Sequence, residues 1–207
     1  MDQTIQNLQK IKHVVVMMFE NRSFDHMLGF LYTDSNNVSP LGHPFEGLTG
    51  NETNPDGKGN PIKVFPIPKD NHPYFWPGSD PGEGYFNTNS QLYGNYKTPA
   101  PGTVATNQGF VTDFEYTLNW QRAANKKKAN SWHIIEGTTG NDMMVIYTPD
   151  LLPVLSGLAK GYAVCDHWYC SVPTETLPNR AFLHMATSQG RLNDRDKIYS
   201  AKTIFVV

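Results

Sequence analysis

Two polar clusters hold the residue types of this sequence that are best suited to metal-assisted group transfer. Glu20 and Asn21 directly follow the apolar residues 13–19, and Thr176 ends the polar run "TET" after the apolar residues 162–168. Carboxylate and amide oxygens are ligands that hard divalent cations prefer. A threonine hydroxyl needs a base or a metal to lower its pKa before it becomes a good nucleophile. A single site, in which a metal held by Glu20 and Asn21 activates Thr176, is therefore chemically sensible.

The position of Thr176 adds a second argument for chemistry there. Pro178 predicts the start of a helix, so that the Thr176 hydroxyl lies just ahead of a helix N-terminus. An anion at that end meets unpaired N–H groups and a favourable helix dipole. The alternative is purely structural: Asn21 satisfies a turn, Glu20 pairs with Arg22, and Thr176 only begins the helix. The spacing alone leaves both interpretations open.

Strands and helices that would position these clusters alternate along the chain. The Val-rich residues 13–19 predict a strand buried on both faces, and Ser23 then caps a helix. Residues 162–168 predict a second buried strand, followed by a helix over 178–190. This order predicts an α/β fold with a mostly parallel sheet. Ligands of such sheets bind at the carboxyl ends of the strands, which is where both clusters lie.

The middle of the chain predicts a long excursion and further helices. Residues 33–109 are rich in Gly, Pro, Asn and Asp, which predicts a loop-rich insertion or cap on the substrate side. A short helix is predicted over 119–129, and a turn at 140–144 leads into an apolar stretch. Thr148 predicts the cap of another helix, which Gly161 closes.

Composition excludes several classes of protein. The chain of 207 residues is long enough for one domain, and its formal net charge of -2 gives no basic surface for nucleic acid. Its N-terminus lacks the apolar core of a secretory leader, and no stretch is long enough to span a membrane, so the sequence as written predicts a cytoplasmic protein. Cys165 and Cys170 form no metal or disulfide pattern and are expected to be free thiols. Nothing in the sequence predicts a partner protein.

Four segments together resemble a known enzyme family. They are "ENRSFDHMLGFL" (20–31), "DPGEGYFNTNSQLYG" (80–94), "GLAKGYAVCDHWYCSVP" (157–173) and "SVPTETLPNRAFLHMATSQG" (171–190). The resemblance is to the phosphoesterase family that contains bacterial and plant non-specific phospholipases C and the AcpA-type acid phosphatases. It extends from about residue 13 to residue 198, and the pairing of "ENRSFDH" with "T-x-PNR" is highly specific.

The resemblance implies a fold, a reaction and a set of site residues. The implied fold is an alkaline-phosphatase-like α/β/α sandwich, and the implied reaction is hydrolysis of a phosphate ester through a covalent phospho-enzyme. Glu20 and Asn21 correspond to the family's metal-binding pair, and Thr176 corresponds to its nucleophile and metal ligand. The cofactor is then a divalent metal ion, for which oxygen ligands favour Mg or Ca. Family members are often secreted or periplasmic.

Two further residues are candidates for contact with a phosphate-ester or phospholipid substrate. Arg180, in the first turn of the predicted helix, has the geometry to grip a phosphate, although a structural pairing with nearby carboxylates would also explain it. Glu83 stands where plant members carry a histidine, and it is either a site residue or a loop residue. Aromatic residues between positions 72 and 96 could line a lipid or aryl pocket or form the loop's own small core. Single histidines such as His26 and His133 are more often packed than catalytic.

The family pattern also contains parts that this sequence lacks. An Asp-Asp pair and several histidines complete the family's site well C-terminal of the segments above, and no such pair occurs in this chain. We therefore expect the N-terminal part of a catalytic domain, with an incomplete site and little turnover of its own. Alternatives are a truncated or degenerate non-catalytic copy, a hydrolase such as a sulfatase from the same superfamily, or a lipid- or carbohydrate-binding module. The sequence does not separate a phospholipase from a phosphatase.

Overall fold

A computed structural model describes residues 3–17, 19, 21–33, 38–68, 74, 78–128 and 132–195. The helices are α1 (Gln3–Leu8), α2 (Phe24–Leu28), α3 (Tyr85–Tyr93), α4 (Phe110–Lys126), α5 (Pro153–Gly161) and α6 (Thr176–Met185), with a 3-10 helix at Gly140–Met144. The strands are β1 (Thr53–Pro55), β2 (Pro61–Lys63), β3 (Phe65–Pro66) and β4 (Val145–Ile146). Within these ranges, none of the helices is long and apolar enough to span a bilayer.

The short strands form two pairs of opposite type. β1 and β2 pair antiparallel as a hairpin, with Thr53 opposite Lys63. β3 and β4 pair in parallel, with Phe65 opposite Val145. The chain is thus a mixture of helices and small sheets with some parallel pairing, which agrees with the α/β class predicted from the sequence. The hairpin, β3 and α3 all lie within residues 33–109, so this loop-rich segment has more regular structure than its composition indicates.

Both predicted buried strands are wrong in the described residues. Residues 13–17 and 19 form no strand, and Val15 is 88% exposed. Residues 162–168 likewise form turns and irregular backbone, and Trp168 is 80% exposed. An apolar run becomes a strand only when a neighbouring strand takes up its N–H and C=O groups and another layer covers its side chains. No strand among the described residues pairs with either run.

The predicted helices form, but the two in the middle of the chain begin at other residues than predicted. Ser23 caps α2 as predicted, because its side chain accepts a hydrogen bond from the His26 N–H at 3.2 Å. The helix predicted over 119–129 begins much earlier, at Phe110. The helix predicted from Thr148 begins only at Pro153, since residues 149–151 form a turn closed by the Leu151 N–H and the Thr148 carbonyl.

Helix α4 starts early because a distant side chain caps it. The buried Asn54 of β1 accepts a hydrogen bond from the Val111 N–H at 3.1 Å and donates to the Asn107 carbonyl at 2.7 Å. The amide thus satisfies one of the first N–H groups of the helix, which otherwise lack partners. Cap and hairpin together fix the position of α4 relative to β1.

Helix α4 is the main packing element of the described structure. Val111, Phe114 and Leu118 recur at helical spacing and are at most 1% exposed. The turn predicted at 140–144 is confirmed as the 3-10 helix that leads into β4, and it packs against α4. The core cluster around Val111 contains Phe30, Leu48, Val64, Met144 and Ile146. The same face of α4 continues beyond Leu118 into the polar residues Gln121 and Asn125, whose side chains hold loops.

Candidate functional site

Thr176 is the first residue of α6, with Glu175 as the N-cap. The helix therefore begins two residues earlier than predicted, and Pro178 is the third helical residue instead of the first. The Glu175 side chain makes no capping hydrogen bond to the helix. Pro178 has no N–H, so the anion-binding capacity of this end depends on the N–H groups of Thr176 and Leu177.

The three residues of the "TET" run differ in how their side chains are engaged. The Thr174 hydroxyl donates to the Leu192 carbonyl at 2.7 Å, and the Glu175 carboxylate accepts a hydrogen bond from the Asp194 N–H. Among the residues that the structure describes, none forms a hydrogen bond with the Thr176 hydroxyl. Thr176 is thus the member of the run whose hydroxyl is available for another atom.

A carboxylate of the chain itself occupies the N-terminus of α6. The Leu177 N–H donates to Asp194 Oδ1 at 2.8 Å. The expectation that an anion at this helix end meets unpaired N–H groups is therefore wrong at Leu177. A carboxylate is favoured at a helix N-terminus for the same reason that a phosphate is, because both are anions facing backbone donors.

Asn179 holds the loop that precedes α6. Its side-chain oxygen accepts hydrogen bonds from the N–H groups of Ser171 and Val172, at 3.1 Å and 3.2 Å. Its side-chain nitrogen lies within 3.1 Å of the carbonyls of Val172, Thr174 and Glu175. One amide therefore fixes the loop on both sides of Thr174 and sets the backbone at Thr176.

Asn21 lies at the edge of a cavity of about 250 Å³. Its backbone has a positive φ of 68°, a left-handed conformation that Asn tolerates better than most residues. Glu20, the other predicted metal ligand, lies outside the described residues. The cavity is lined by Asn21, Arg22, Tyr74, Gly78, Ser79, Asp80, Pro81, Trp132 and His133. Of the aromatic residues predicted to line a pocket, Tyr74 does so, while Phe75 and Trp76 also lie outside the described part of the chain.

Two polar side chains of α4 hold the walls of this cavity. Gln121, which is 2% exposed, accepts a hydrogen bond from the Ser79 hydroxyl and donates to the Asp80 carbonyl at 3.1 Å. Asn125, one turn further along, accepts from the Trp132 N–H and donates to the Trp132 carbonyl, both at 2.8 Å. The cavity is therefore supported by backbone contacts to a rigid helix.

Arg22 and His26 connect the Asn21 side of the cavity to β4. The Arg22 Nη1 lies 2.9 Å from His26 Nε2, and His26 Nδ1 lies 2.8 Å from the Val145 carbonyl oxygen. Burial, and the nearby positive charge of Arg22, lower the pKa of His26 to about 4. His26 is therefore neutral near pH 7 and is packed, edge-on, against the Tyr147 ring. This confirms the structural interpretation of His26.

Arg180 belongs to α6, and Glu83 comes near the start of this helix in space through its neighbour Gly84. Glu83 is exposed, and its neighbour Gly84 is so near Glu175 that a Cβ built on Gly84 would lie 3.3 Å from Glu175 Oε1. Arg180 is half-buried in the second turn of α6. The segment from Gly78 to Gly84 therefore lines the cavity at one end and approaches Glu175 at the other.

The described structure brings the predicted residues only partly together. No hydrogen bond joins Asn21 to Thr176 within the described residues. The same residues contain no group of three or more His, Cys, Asp or Glu side chains that could hold a metal ion. Sequence reasoning missed Asp194, Gln121 and Asn125, and it gave Asn179 no role. Of these four residues, only Asn179 belongs to a sequence motif, "PNR".

Comparison with known proteins establishes the family to which this chain belongs. A profile described as "Phosphoesterase family" matches residues 11–205. The chain belongs to the phosphoesterase family. The resemblance found in the sequence motifs is thus confirmed over almost the whole chain.

Relatives within the phosphoesterase family come from plants and bacteria. The chain is 32% identical to non-specific phospholipase C6 of Arabidopsis thaliana over 199 residues, which is 94% of this chain and 32% of the relative. It is 31% identical to non-specific phospholipase C1 of the same plant, with the same coverage. It is 28% identical to the non-hemolytic phospholipase C of Burkholderia pseudomallei over 85% of this chain and 20% of that protein. The chain spans about a third of the length of its plant relatives.

Proposed function

We propose that this chain forms part of a phosphoric-ester hydrolase, of phospholipase C or acid phosphatase type, in which Thr176 is the nucleophile. The family assignment supports the reaction class, and the names of the relatives support a phospholipid or related phosphate ester as substrate. The fold of the whole catalytic domain is then an alkaline-phosphatase-like α/β/α sandwich, of which residues 1–207 are the N-terminal part. A nucleic acid is not a proposed substrate.

The availability of the Thr176 hydroxyl carries this proposal. Thr174 and Glu175 are engaged by residues 192–194, whereas within the described residues the Thr176 hydroxyl is not. It also stands at the first position of a ten-residue helix, where backbone donors favour the oxygens of a phosphoryl group. A nucleophile and an anion-binding end are thus combined at one residue.

The reaction proceeds in two balanced displacements. Thr176 Oγ1 loses its proton and attacks phosphorus, and the bond between phosphorus and the ester oxygen breaks, so that the alcohol leaves with a proton. A water molecule then loses a proton and attacks the phosphothreonine, the bond between phosphorus and Oγ1 breaks, Oγ1 takes up a proton, and the phosphate product leaves. The Thr176 N–H would stabilise the negative charge on the phosphoryl oxygens in both steps, whereas the Leu177 N–H would do so only where the phosphoryl group replaces Asp194 as its acceptor.

The donor atoms present fit a hard divalent cation by type. Asn21 offers an amide oxygen at the edge of the cavity, and Thr176 offers a hydroxyl oxygen. Glu20 would add the negative charge that these neutral donors lack. Mg or Ca held by Glu20, Asn21 and Thr176 would lower the pKa of the hydroxyl and offset charge on the phosphoryl group. Three ligands need further donors to complete a shell, which the family resemblance assigns to more C-terminal residues.

Arg180 and Glu83 complete the proposal on the substrate side. Arg180 follows the nucleophile by one helical turn, so that its guanidinium would reach the phosphoryl oxygens from the helix side. Glu83, beside Gly84, would face the alcohol part of the ester.

Hydrolysis assays with a matched pair of threonine variants test the proposal. The substrates are p-nitrophenyl phosphate and phosphatidylcholine, and the protein is the longest natural polypeptide that contains this sequence. Thr176→Ala should lower turnover roughly a thousandfold or more, because a covalent nucleophile is lost. Thr174→Ala, which removes the neighbouring hydroxyl, should retain most of the rate. Chelation should abolish turnover, and Mg or Ca should restore it.

The outcome that contradicts the proposal is equally specific. Equal rates for Thr176→Ala and Thr174→Ala would exclude Thr176 as the nucleophile, and insensitivity to chelator would exclude the metal. The 207-residue chain is assayed in parallel and should turn over little substrate, because it spans about a third of its plant relatives. Robust turnover by this chain would show that the described segments already make a complete site.

A further inference from the structure

We propose that the α4 outer face, which consists of Tyr116, Trp120 and the lysines 126–128 at the end of the helix, binds the surface of an anionic phospholipid bilayer. The bound partner is a lipid surface, and binding requires no hydrolysis. The inference therefore goes beyond the proposed function, and it does not depend on the identity of the nucleophile or of the metal.

Helix α4 turns two large aromatic side chains away from the core. Val111, Phe114 and Leu118 are buried on one side of the helix. Because successive residues of a helix are turned by about 100°, Tyr116 and Trp120 lie on the opposite side. Tyr116 is 60% exposed and Trp120 is 54% exposed. Two rings thus face solvent on a helix that the core holds from behind.

Both exposed rings are held by aromatic neighbours. The ring centroid of Tyr116 lies 5.3 Å from that of Tyr96, and the centroid of Trp120 lies 5.9 Å from that of Trp132. Contacts of this kind restrict a ring before binding and so lower the entropy cost of binding. Trp and Tyr have an apolar body and a polar end, which suits them to the boundary between lipid and water.

The lysines make the surface complementary in charge to an anionic bilayer. Lys126, Lys127 and Lys128 are all exposed, and Lys127 follows Trp120 by two helical turns, which places it on the same side at about 10 Å along the axis. Aromatic residues are common in protein interfaces, but lysine is depleted there, whereas lysines near a membrane are attracted to anionic lipids. Rings and lysines together therefore favour a lipid surface over a protein partner. Lysines also suit a helix C-terminus, but that role does not explain the exposed rings.

Other charges near the α4 outer face change this balance little. Lys97, which is exposed, follows Tyr96 and adds a positive charge beside the Tyr116 ring. The Glu115 carboxylate accepts a hydrogen bond from the Gly140 N–H at 2.7 Å, so it is directed to the 3-10 helix. Glu136 lines a cavity of about 390 Å³ together with Lys126 and offsets part of its charge. We therefore assign most of the attraction to lysines 127 and 128.

The α4 outer face adjoins the cavity of about 250 Å³ that contains Asn21 in its lining. Trp132 lines this cavity, and its ring contacts the ring of Trp120. Asn125 fixes the backbone of Trp132 to α4 by two hydrogen bonds of 2.8 Å. A bilayer bound at Trp120 is thus separated from the cavity by one side chain.

Sedimentation with lipid vesicles tests the inference on the longest natural polypeptide that contains this sequence. The vesicles contain phosphatidylcholine alone or with about 30% phosphatidylglycerol, and a chelator is present to suppress hydrolysis. Binding to the mixed vesicles should be roughly tenfold stronger or more, because only they carry a negative surface potential. Raising the salt concentration should weaken it, since salt screens exposed charges.

Matched variants separate the rings and the lysines from general effects. Trp120→Ala should weaken binding to the mixed vesicles roughly fivefold or more, and Trp120→Tyr should recover most of that loss. Lys127→Gln should weaken it roughly fivefold. Trp168→Ala and Lys63→Gln remove an exposed Trp and an exposed Lys outside α4, and they should leave binding unchanged. Thermal unfolding confirms that each variant is folded.

Several results would overturn the inference. They are equal binding to both kinds of vesicle, equal effects of Trp120→Ala and Trp168→Ala, or unchanged binding in Lys127→Gln. Self-association of the wild type that Trp120→Ala abolishes would also overturn it, because a second copy would then occupy the face. The proposed function is read separately, from turnover of soluble p-nitrophenyl phosphate by Thr176→Ala. Lys127→Gln should leave that turnover unchanged, so failure of one proposal is distinguishable from failure of the other.

Discussion

The carboxylate of Asp194 accepts a hydrogen bond of 2.8 Å from the backbone N–H of Leu177, the residue that follows Thr176. A second hydrogen bond joins the same two segments, because the Asp194 N–H donates to the Glu175 carboxylate. Asp194 thus holds the first turn of α6. Its carboxylate occupies the position at which a phosphoryl oxygen would be stabilised. A bound phosphoryl group would share this end of the helix with a negative charge or displace it.

Removing the charge of Asp194 should strengthen anion binding at α6. In Asp194→Asn, the affinity for phosphate read from the Leu177 amide resonance should rise roughly two- to fivefold, equivalent to about 0.4–1 kcal/mol for one charge at a helix terminus. The measurement is a phosphate titration followed by NMR. Asp56→Asn, in the hairpin turn, is the control with the same chemical change. If phosphate did not shift the Leu177 resonance in either the wild type or Asp194→Asn, this helix end would bind no phosphate.

Truncation of Asn179 should unfold the loop that carries Thr174 and Glu175. Asn179→Ala leaves the N–H groups of Ser171 and Val172 without their side-chain acceptor, so we expect a loss of roughly 2–4 kcal/mol in the free energy of unfolding. Chemical denaturation measures it, and limited proteolysis should cut within 171–175. Asn119→Ala, which removes one exposed bond to Glu115, should cost under about 0.5 kcal/mol. Similar costs for both variants would contradict the role assigned to Asn179.

Acid should destabilise the fold through His26. Its pKa is lowered from 6.5 to about 4 in the folded chain, chiefly by burial and also by Arg22. Between these two values the unfolded chain binds more protons than the folded one, so the free energy of unfolding falls as pH falls from about 6.5 to about 4. The full effect is roughly 3 kcal/mol at 1.36 kcal/mol per pKa unit.

The difference between wild type and His26→Gln isolates this contribution. Denaturation at pH 7, 5.5 and 4.5 should give a steeper loss for the wild type than for the variant. The buried Asp113 has a raised pKa and acts in the opposite direction, but it contributes equally to both chains. Parallel pH profiles would show that His26 does not titrate as the structure requires.

The Asp113 carboxylate should be essential for docking α3 on α4. It is 0% exposed and accepts hydrogen bonds from the side-chain amides of Asn87 and Gln91, at 3.0 Å and 2.8 Å. Asp113→Ala leaves both amides without this acceptor and should cost roughly 2–4 kcal/mol of unfolding free energy. Asp113→Asn retains one acceptor and should cost less. If thermal denaturation ranked the two variants in the reverse order, the carboxylate would be dispensable for this contact.

Local signals in the sequence predicted the features that depend on a few neighbouring residues. Ser23 as the cap of α2 and the turn at 140–144 are confirmed, because each is made by hydrogen bonds within four residues. The strands predicted at 13–19 and 162–168 are wrong in the described residues, since a strand is fixed by its partners and not by its own composition. An apolar run indicates that its side chains favour burial, but it does not show which other element covers them.

The site shows the same limit over longer distances. The start of α4 depends on Asn54, which is 57 residues from Val111 in the chain. The buried residues of α3 are Asn89 and Ser90, so the hydrophobic pattern that reveals most helices is missing there. Asn21 and Thr176 are predicted site residues because they belong to sequence motifs. Asp194 and Gln121 carry none, and only their hydrogen bonds reveal what they hold.

The spacing of Gln121 and Asn125 on α4 has a consequence for any ligand of the cavity. Four residues along a helix correspond to a rise of about 6 Å, so the two segments that these side chains hold, at Asp80 and at Trp132, are separated by a length that backbone geometry sets. The backbone of α4 therefore sets the distance between the two parts of the cavity lining that these side chains hold. A one-residue deletion between the two side chains would turn Asn125 by about 100° around the helix and change that distance, while leaving every lining residue in the chain.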